Sequence, residues 1–151
     1  MTEPDLEIED DLGFTAFFYA LQKGLAAIVA KMVKKNKSLV TMRFTYVNDK
    51  TPVLVAYAFG HWEIARFLYS RTPIKVLTED NNGRDGAQLI SKCFFQINKF
   101  DIGWDLLQQC PKLVLTENYF GYSPLNTLAD FRSAFPSGVP LRFWQRWIYN
   151  S

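Results

Sequence analysis

His61 is the only histidine in this 151-residue chain, so any serine-, cysteine- or metal-centred reaction that needs an imidazole would have to run through it. Its sequence neighbours, Phe59, Gly60, Trp62 and Glu63, supply neither a nucleophile nor a pair of carboxylates at a catalytic spacing. Cys93 and Cys110 do not form a Cys-x-x-Cys pair. With one histidine to join them they make neither a zinc set nor a disulfide framework, and they read as reduced thiols of a cytosolic chain. Asp80 to Gly86 is rich enough in acids and amides to resemble a calcium loop, but Arg84 stands where an oxygen ligand belongs and Ser91 where the bidentate glutamate would be. No Gly-x-x-x-x-Gly-Lys-Ser/Thr or Gly-x-Gly-x-x-Gly is present to cradle a nucleotide phosphate. The residues therefore predict no enzyme, no metal and no cofactor, and His61 reads as structural.

Composition sets the frame in which such residues must sit. With 48% hydrophobic and 21% charged residues the chain has the make-up of a folded unit able to bury a core. A net charge of +2 is too small to argue for nucleic acid, which calls for a clear basic excess on one face. The aromatic content is high, with 13 Phe, 7 Tyr and 4 Trp; many of these fall outside a core period, so some are expected to face outward. The sequence contains no apolar run of roughly 20 residues and no basic-then-apolar leader, which predicts a cytoplasmic chain.

Internal repetition is the strongest signal. The segment from Thr51-Pro52-Val53-Leu54 through Ala56 and Gly60-His61 to Ile64, Phe67 and Leu68 has three landmarks that recur 36 residues earlier, at Thr15, Gly24 and Ile28. The opening returns 72 residues later as Gly121-Tyr122-Ser123-Pro124-Leu125, and between them Asp101 to Leu107 matches the second half of the unit at an offset of 38, behind a degenerate opening, Gly86-Ala87-Gln88-Leu89. Thr-Pro predicts a helix start, the hydroxyl capping free N–H groups and proline tolerated at the first position. Gly24 and Gly60 predict left-handed ends of first helices. The second helices are expected to bury Ile64, Phe67 and Leu68 in one unit and Ile28, Met32 and Val33 in another. Asn48 to Lys50, Asp80 to Gly86 and Asn118 to Gly121 are the turn-rich stretches between pairs.

These residues resemble the ankyrin repeat. The text between pairs is similar to a narrower group, the plant ankyrin proteins whose repeats precede a membrane-spanning PGG-type domain: Asn36 to Val40, Arg66 to Pro73, Leu106 to Leu115, Ser133 to Gly138 and Phe143-Trp144-Gln145-Arg146-Trp147-Ile148-Tyr149. The resemblance implies an all-α ankyrin-repeat solenoid of stacked helix pairs with turn-rich β-finger loops. It also implies a protein–protein interaction scaffold, the cytosolic part of a signalling or stress-response protein at the cytosolic face of a membrane. The expected divisions are 1–12 as an acidic lead-in or the tail of a preceding repeat, repeats at 13–47, 48–83, 84–118 and 119–132, and an aromatic segment at 133–151 that docks on the last repeat or, as the alternative, forms an interfacial helix at a membrane. The chain thus reads as opening inside a longer array and stopping before its membrane part; a regulatory fragment of a membrane-anchored component and a non-functional remnant are the alternatives. The histidine of the Thr-Pro-Leu-His pattern is replaced by Phe18, Leu54 and Asn126, and a loop glycine by Asp49, changes expected to loosen the bonding between loop and helix.

In ankyrin stacks the partner surface is formed by the fingers and the exposed edge of the first helices. Carried over, this predicts contacts to a protein partner from Asp11, Leu12, Phe14, Gln22 and Lys23 in the first copy, Val47, Asn48, Lys50, Ala58 and Phe59 in the second, and Tyr119, Phe120 and Tyr122 in the last. Nucleic acid is not expected, and membrane proximity would come through a C-terminal region beyond this sequence. Lys31, Lys34, Lys35 and Lys37, at the end of a second helix, read first as compensation of the helix dipole and second, as the family resemblance implies, as a contact with an anionic membrane surface.

Overall fold

The computed structural model describes residues 8–94 and 100–132. Their helices are α1 Ala16–Gln22, α2 Ala26–Lys35, α3 Pro52–Ala58, α4 Trp62–Tyr69, α5 Ile74–Thr78, α6 Arg84–Phe94, α7 Asp101–Gln109 and α8 Pro124–Arg132, joined through short 3-10 turns. Among the described residues the only extended pairing is two isolated bridges, Glu9 with Thr15 and Phe44 with Lys50, so the fold there is all-α. Residues 1–7 of the acidic lead-in and the aromatic segment 133–151 lie outside the described residues.

The first two pairs, α1–α2 and α3–α4, are reversed by the same device. Gly24, at φ +70, lets the Leu25 N–H reach the Ala20 carbonyl at 3.0 Å and its own N–H reach Leu21 at 3.2 Å. Gly60, at φ +79, repeats this with His61 on Ala56 at 3.0 Å and Gly60 on Tyr57 at 3.1 Å. Both are the double-bonded glycine C-cap, which satisfies carbonyls that a helix end otherwise leaves free.

The pairs α1–α2, α3–α4 and α6–α7 each pack internally, and the first helices contact one another in chain order, α1 with α3, α3 with α6 and α6 with α8. The middle first helices are consequently enclosed: every residue from Pro52 to Tyr57 is buried, as is every residue from Asp85 to Ser91. Three of the polar links between neighbours fall at one separation. The Tyr57 hydroxyl donates to Cys93 Sγ at 3.1 Å, the Tyr69 hydroxyl donates to Asp105, and Thr127 Oγ1 donates to Ser91 Oγ at 3.4 Å, each pair 36 residues apart. After each second helix a single tight turn buries a leucine completely, Leu39, Leu77 and Leu113 in succession, each worth about 2 kcal/mol of burial.

Three local expectations are corrected. The buried stripe of α2 is Val29, Met32 and Val33, while Ile28 is 44% exposed, because 29, 32 and 33 follow the i, i+3, i+4 spacing that keeps one face together. In α4 the buried residues are Ile64, Ala65 and Leu68, and Phe67 is only half-buried beneath the Arg71 guanidinium, 4.2 Å from its ring. The turn-rich stretch Asp80 to Gly86 is a turn only as far as Gly83, since α6 already begins at Arg84 and takes in the degenerate opening at Gly86. Gly86 serves a close approach there: a Cβ on it would stand 2.5 Å from the Leu77 carbonyl and 2.9 Å from Leu113.

The expected hydroxyl cap also divides. Thr15 Oγ1 accepts from the Phe18 N–H at 3.1 Å and Ser123 Oγ from the Asn126 N–H at 3.2 Å, but Thr51 Oγ1 is buried with no hydrogen-bond partner. An orphaned buried hydroxyl is destabilising, so Thr51→Val, which keeps the shape, is expected to stabilise the chain by about 1 kcal/mol in urea melts; a loss of stability would mean the hydroxyl has a partner in solution. The two capping glycines give a second test. A methyl on Gly60 meets only Trp62 at 3.7 Å, whereas on Gly24 it would lie 2.6 Å from the His61 ring. Gly60→Ala is expected to cost about 1 kcal/mol of backbone strain, and Gly24→Ala about 2 to 3 kcal/mol through added overpacking; equal losses would show that His61 moves aside freely.

Candidate partner-binding surface

The first finger, Glu9 to Thr15, is wrapped around one carboxylate. Asp10 Oδ1 accepts from the Leu12 N–H at 3.0 Å and the Phe14 N–H at 2.8 Å, and Oδ2 accepts from the Tyr19 hydroxyl at 2.7 Å. The Tyr19 bond, followed by that from Phe14, holds the Asp10 carboxyl below the ordinary carboxylate range, and the same partner pushes the Tyr19 phenol up. The fourth finger repeats the turn: Asn118 Oδ1 accepts from the Phe120 N–H at 2.8 Å and the Tyr122 N–H at 3.2 Å. Position for position the two turns stand 108 residues apart, three units of 36. Asp and Asn are interchangeable there because the acceptor oxygen does the folding.

The second finger, Phe44 to Lys50, is closed differently. Asn48 and Asp49 both take left-handed conformations at φ +58, which Asn and Asp tolerate better than other side chains. Arg43 Nη1 donates to the Asp49 carbonyl at 2.7 Å and to Asp85 Oδ2 at 2.9 Å. The loosening expected from Asp49 is therefore countered by a guanidinium clamped over the turn.

Among the described residues between the second and fourth fingers there is no third projecting loop, only the short turn Asp80–Gly83 with Asn81 and Asn82 left-handed. Asp85, wholly buried, fills the gap: it accepts from Arg43 on one oxygen and from the Tyr119 hydroxyl at 2.6 Å on the other, while Tyr119 accepts from Asn81 Nδ2 at 2.9 Å. Burial pushes the Asp85 carboxyl up, against the Tyr119 hydrogen bond and the Arg43 charge. Lys50 lies 5.9 Å over the Tyr119 ring, so the second and fourth fingers meet directly.

The predicted contact residues divide by exposure. Asp11, Leu12, Gln22, Lys23, Asn48, Ala58, Phe59, Phe120 and Tyr122 are exposed, with Leu12 at 72%, Phe120 at 66% and Tyr122 at 55%. Phe14, Val47, Lys50 and Tyr119 are half-buried and serve the scaffold. Phe14 stacks on Phe18 at 4.8 Å and meets Tyr46 edge-on at 4.5 Å, which bolts the first finger to the second; Phe59 extends the cluster to Phe18 at 6.2 Å. His61 Nε2 lies 3.0 Å from the Gln22 carbonyl, joining the first two pairs at their reversals. Sequence reading passed over Arg43, Tyr46 and Asp85. For Asp85 the signal was present: the 36-residue spacing that links Gly13, Asp49 and Gly121 also lands on it.

Cys93 is buried and Cys110 half-buried, both as free thiols; among the described residues no group of three or more His, Cys, Asp or Glu is placed to hold a metal. No protein-family model matches the chain, and no curated protein sequence matches it. No helix among the described residues is long and apolar enough to cross a membrane.

Removing the hub should be costly. Asp85→Ala leaves Arg43 and the Tyr119 hydroxyl without their shared acceptor and is expected to destabilise by about 3 kcal/mol, against about 1 kcal/mol for Tyr119→Phe, both read from denaturant melts; a cost below that of Tyr119→Phe would show that Asp85 does not tie the fingers.

Proposed function

We propose that the chain is an ankyrin-type stack of helix pairs that works by holding a protein partner on its finger tips and the adjoining ends of its first helices. The observation that carries this reading is the recurrence of the same turns at multiples of 36 residues, with reversals at Gly24 and Gly60 and side-chain-wrapped fingers at Asp10 and Asn118. Packing between neighbouring pairs at that separation supports it as well, since units of this kind bury their apolar stripes only against one another.

Rigid turns carrying outward-facing Leu12, Asn48, Phe120 and Tyr122, with Phe59 at the end of a first helix, offer large apolar anchors on pre-ordered backbone. That lowers the entropic cost of binding. The half-buried Phe14, Val47, Lys50 and Tyr119 set the spacing of these tips and do not make the contacts. A place in stress or defence signalling at the cytosolic face of a membrane is what the resemblance to the plant family adds to this reading.

Photo-crosslinking groups placed at 12, 48 and 120 in the full chain are expected to capture one common protein that a group at the exposed Lys75 does not. Leu12→Ala combined with Phe120→Ala should weaken that capture about tenfold or more with the melting curve unchanged. Capture that is undiminished in the double variant would move the interface off the fingers.

A further inference from the structure

Between Asp11 and Asp49 the sequence contains no carboxylate, yet it carries Lys23, Lys31, Lys34, Lys35, Lys37 and Arg43. Arg43 is engaged by Asp85 and Asp49, whereas all five lysines are exposed. No ion pair among the described residues holds Lys31, Lys34 or Lys37.

Four of these lysines belong to α2 and the turn that follows it. α2 buries Val29, Met32 and Val33; away from that stripe Ile28, Lys31 and Lys34 lie within an arc of about 120°. Ile28, near the start of that face, is 44% exposed. Compensation of the helix dipole accounts for cations in the last turn. It does not account for Lys31, one turn earlier, or for Ile28 left in water one turn before it. Nor do the other second helices need such an end, since α4 has Arg66 alone in its last turn and α7 has no basic residue there.

We propose that this face of α2 docks on the surface of an anionic lipid bilayer. The cations are lysines, flexible point charges suited to a fluid field of headgroups, whereas paired recognition of a fixed carboxylate or phosphate favours the arginine fork. Ile28 supplies apolar atoms for the boundary between headgroups and acyl chains, which a nucleic-acid backbone would leave unused. Each lysine at such a surface strengthens binding about fivefold, so the group gives a reversible, salt-sensitive contact. Ile28, Lys31, Lys34 and Lys37 are not among the residues placed on the protein-binding surface.

The test is co-sedimentation of the full chain with vesicles of phosphatidylcholine alone or mixed with phosphatidylserine. Binding is expected to the mixed vesicles only, and to be lost at high salt. A variant carrying Lys31→Gln, Lys34→Gln and Lys37→Gln should lose about a hundredfold in affinity, the Lys→Glu counterpart should lose more, and both should keep the native circular dichroism. Lys75→Glu with Lys112→Glu, exposed charges elsewhere, should change binding by no more than about twofold. Ile28→Ser should weaken binding without altering its salt dependence. Equal sedimentation with both vesicle types, or an equal loss in the Lys75/Lys112 pair, overturns the proposal. So does salt-sensitive retention on heparin or DNA without vesicle binding, which would make the face a general polyanion site.

Discussion

Everything in this chain depends on helices too short to stand alone being closed in by their neighbours. α1 and α3 are 7 residues long and α4 is 8, well below the length at which a helix persists in water. α3 exists because α1 lies on one side and α6 on the other, and the burial of the whole run from Pro52 to Tyr57 replaces what backbone bonding alone cannot supply. The glycine reversals follow from the same constraint. A seven-residue helix must end within one residue of where its apolar face stops, and the left-handed Gly24 and Gly60 set that end.

Where the repeating pattern fails, the structure compensates with charge. The third unit lacks a projecting loop, and a helix one turn longer at its start occupies the space. That places a carboxylate, Asp85, where its counterparts are turn residues. A buried carboxylate has to be partnered. Arg43 from the loop before it and Tyr119 from the loop after it converge on its two oxygens, so the missing loop is answered by a hub joining its neighbours.

Much of this was legible in the residues, and the rest was hidden for identifiable reasons. Pro52, Gly24 and Gly60 announce backbone geometry directly, so helix starts and reversals could be read without knowing what packs where. The stripe of α2 could not. Ile28 and Val29 are both apolar and adjacent, and the packing of α2 between α1 and α4 selects which of the two faces inward. Gly86 looks like a turn residue in sequence, but it is small because Leu77 and Leu113 press on it. Leu12 and Phe120 could be placed at finger tips by spacing alone, whereas Phe14 and Tyr119 looked equally outward until their contacts with Tyr46 and Asp85 were seen.

Chains built from similar units commonly gain or lose whole units over evolutionary time, because each unit touches only its neighbours. The Arg43–Asp85–Tyr119 bridge works against that freedom here. Excising either flanking unit strips a buried carboxylate of one of its two partners, and inserting a unit on either side pushes that partner out of reach. The number of units in this part of the chain is thereby fixed by a single acidic side chain, and with it the distance between the second and fourth loops.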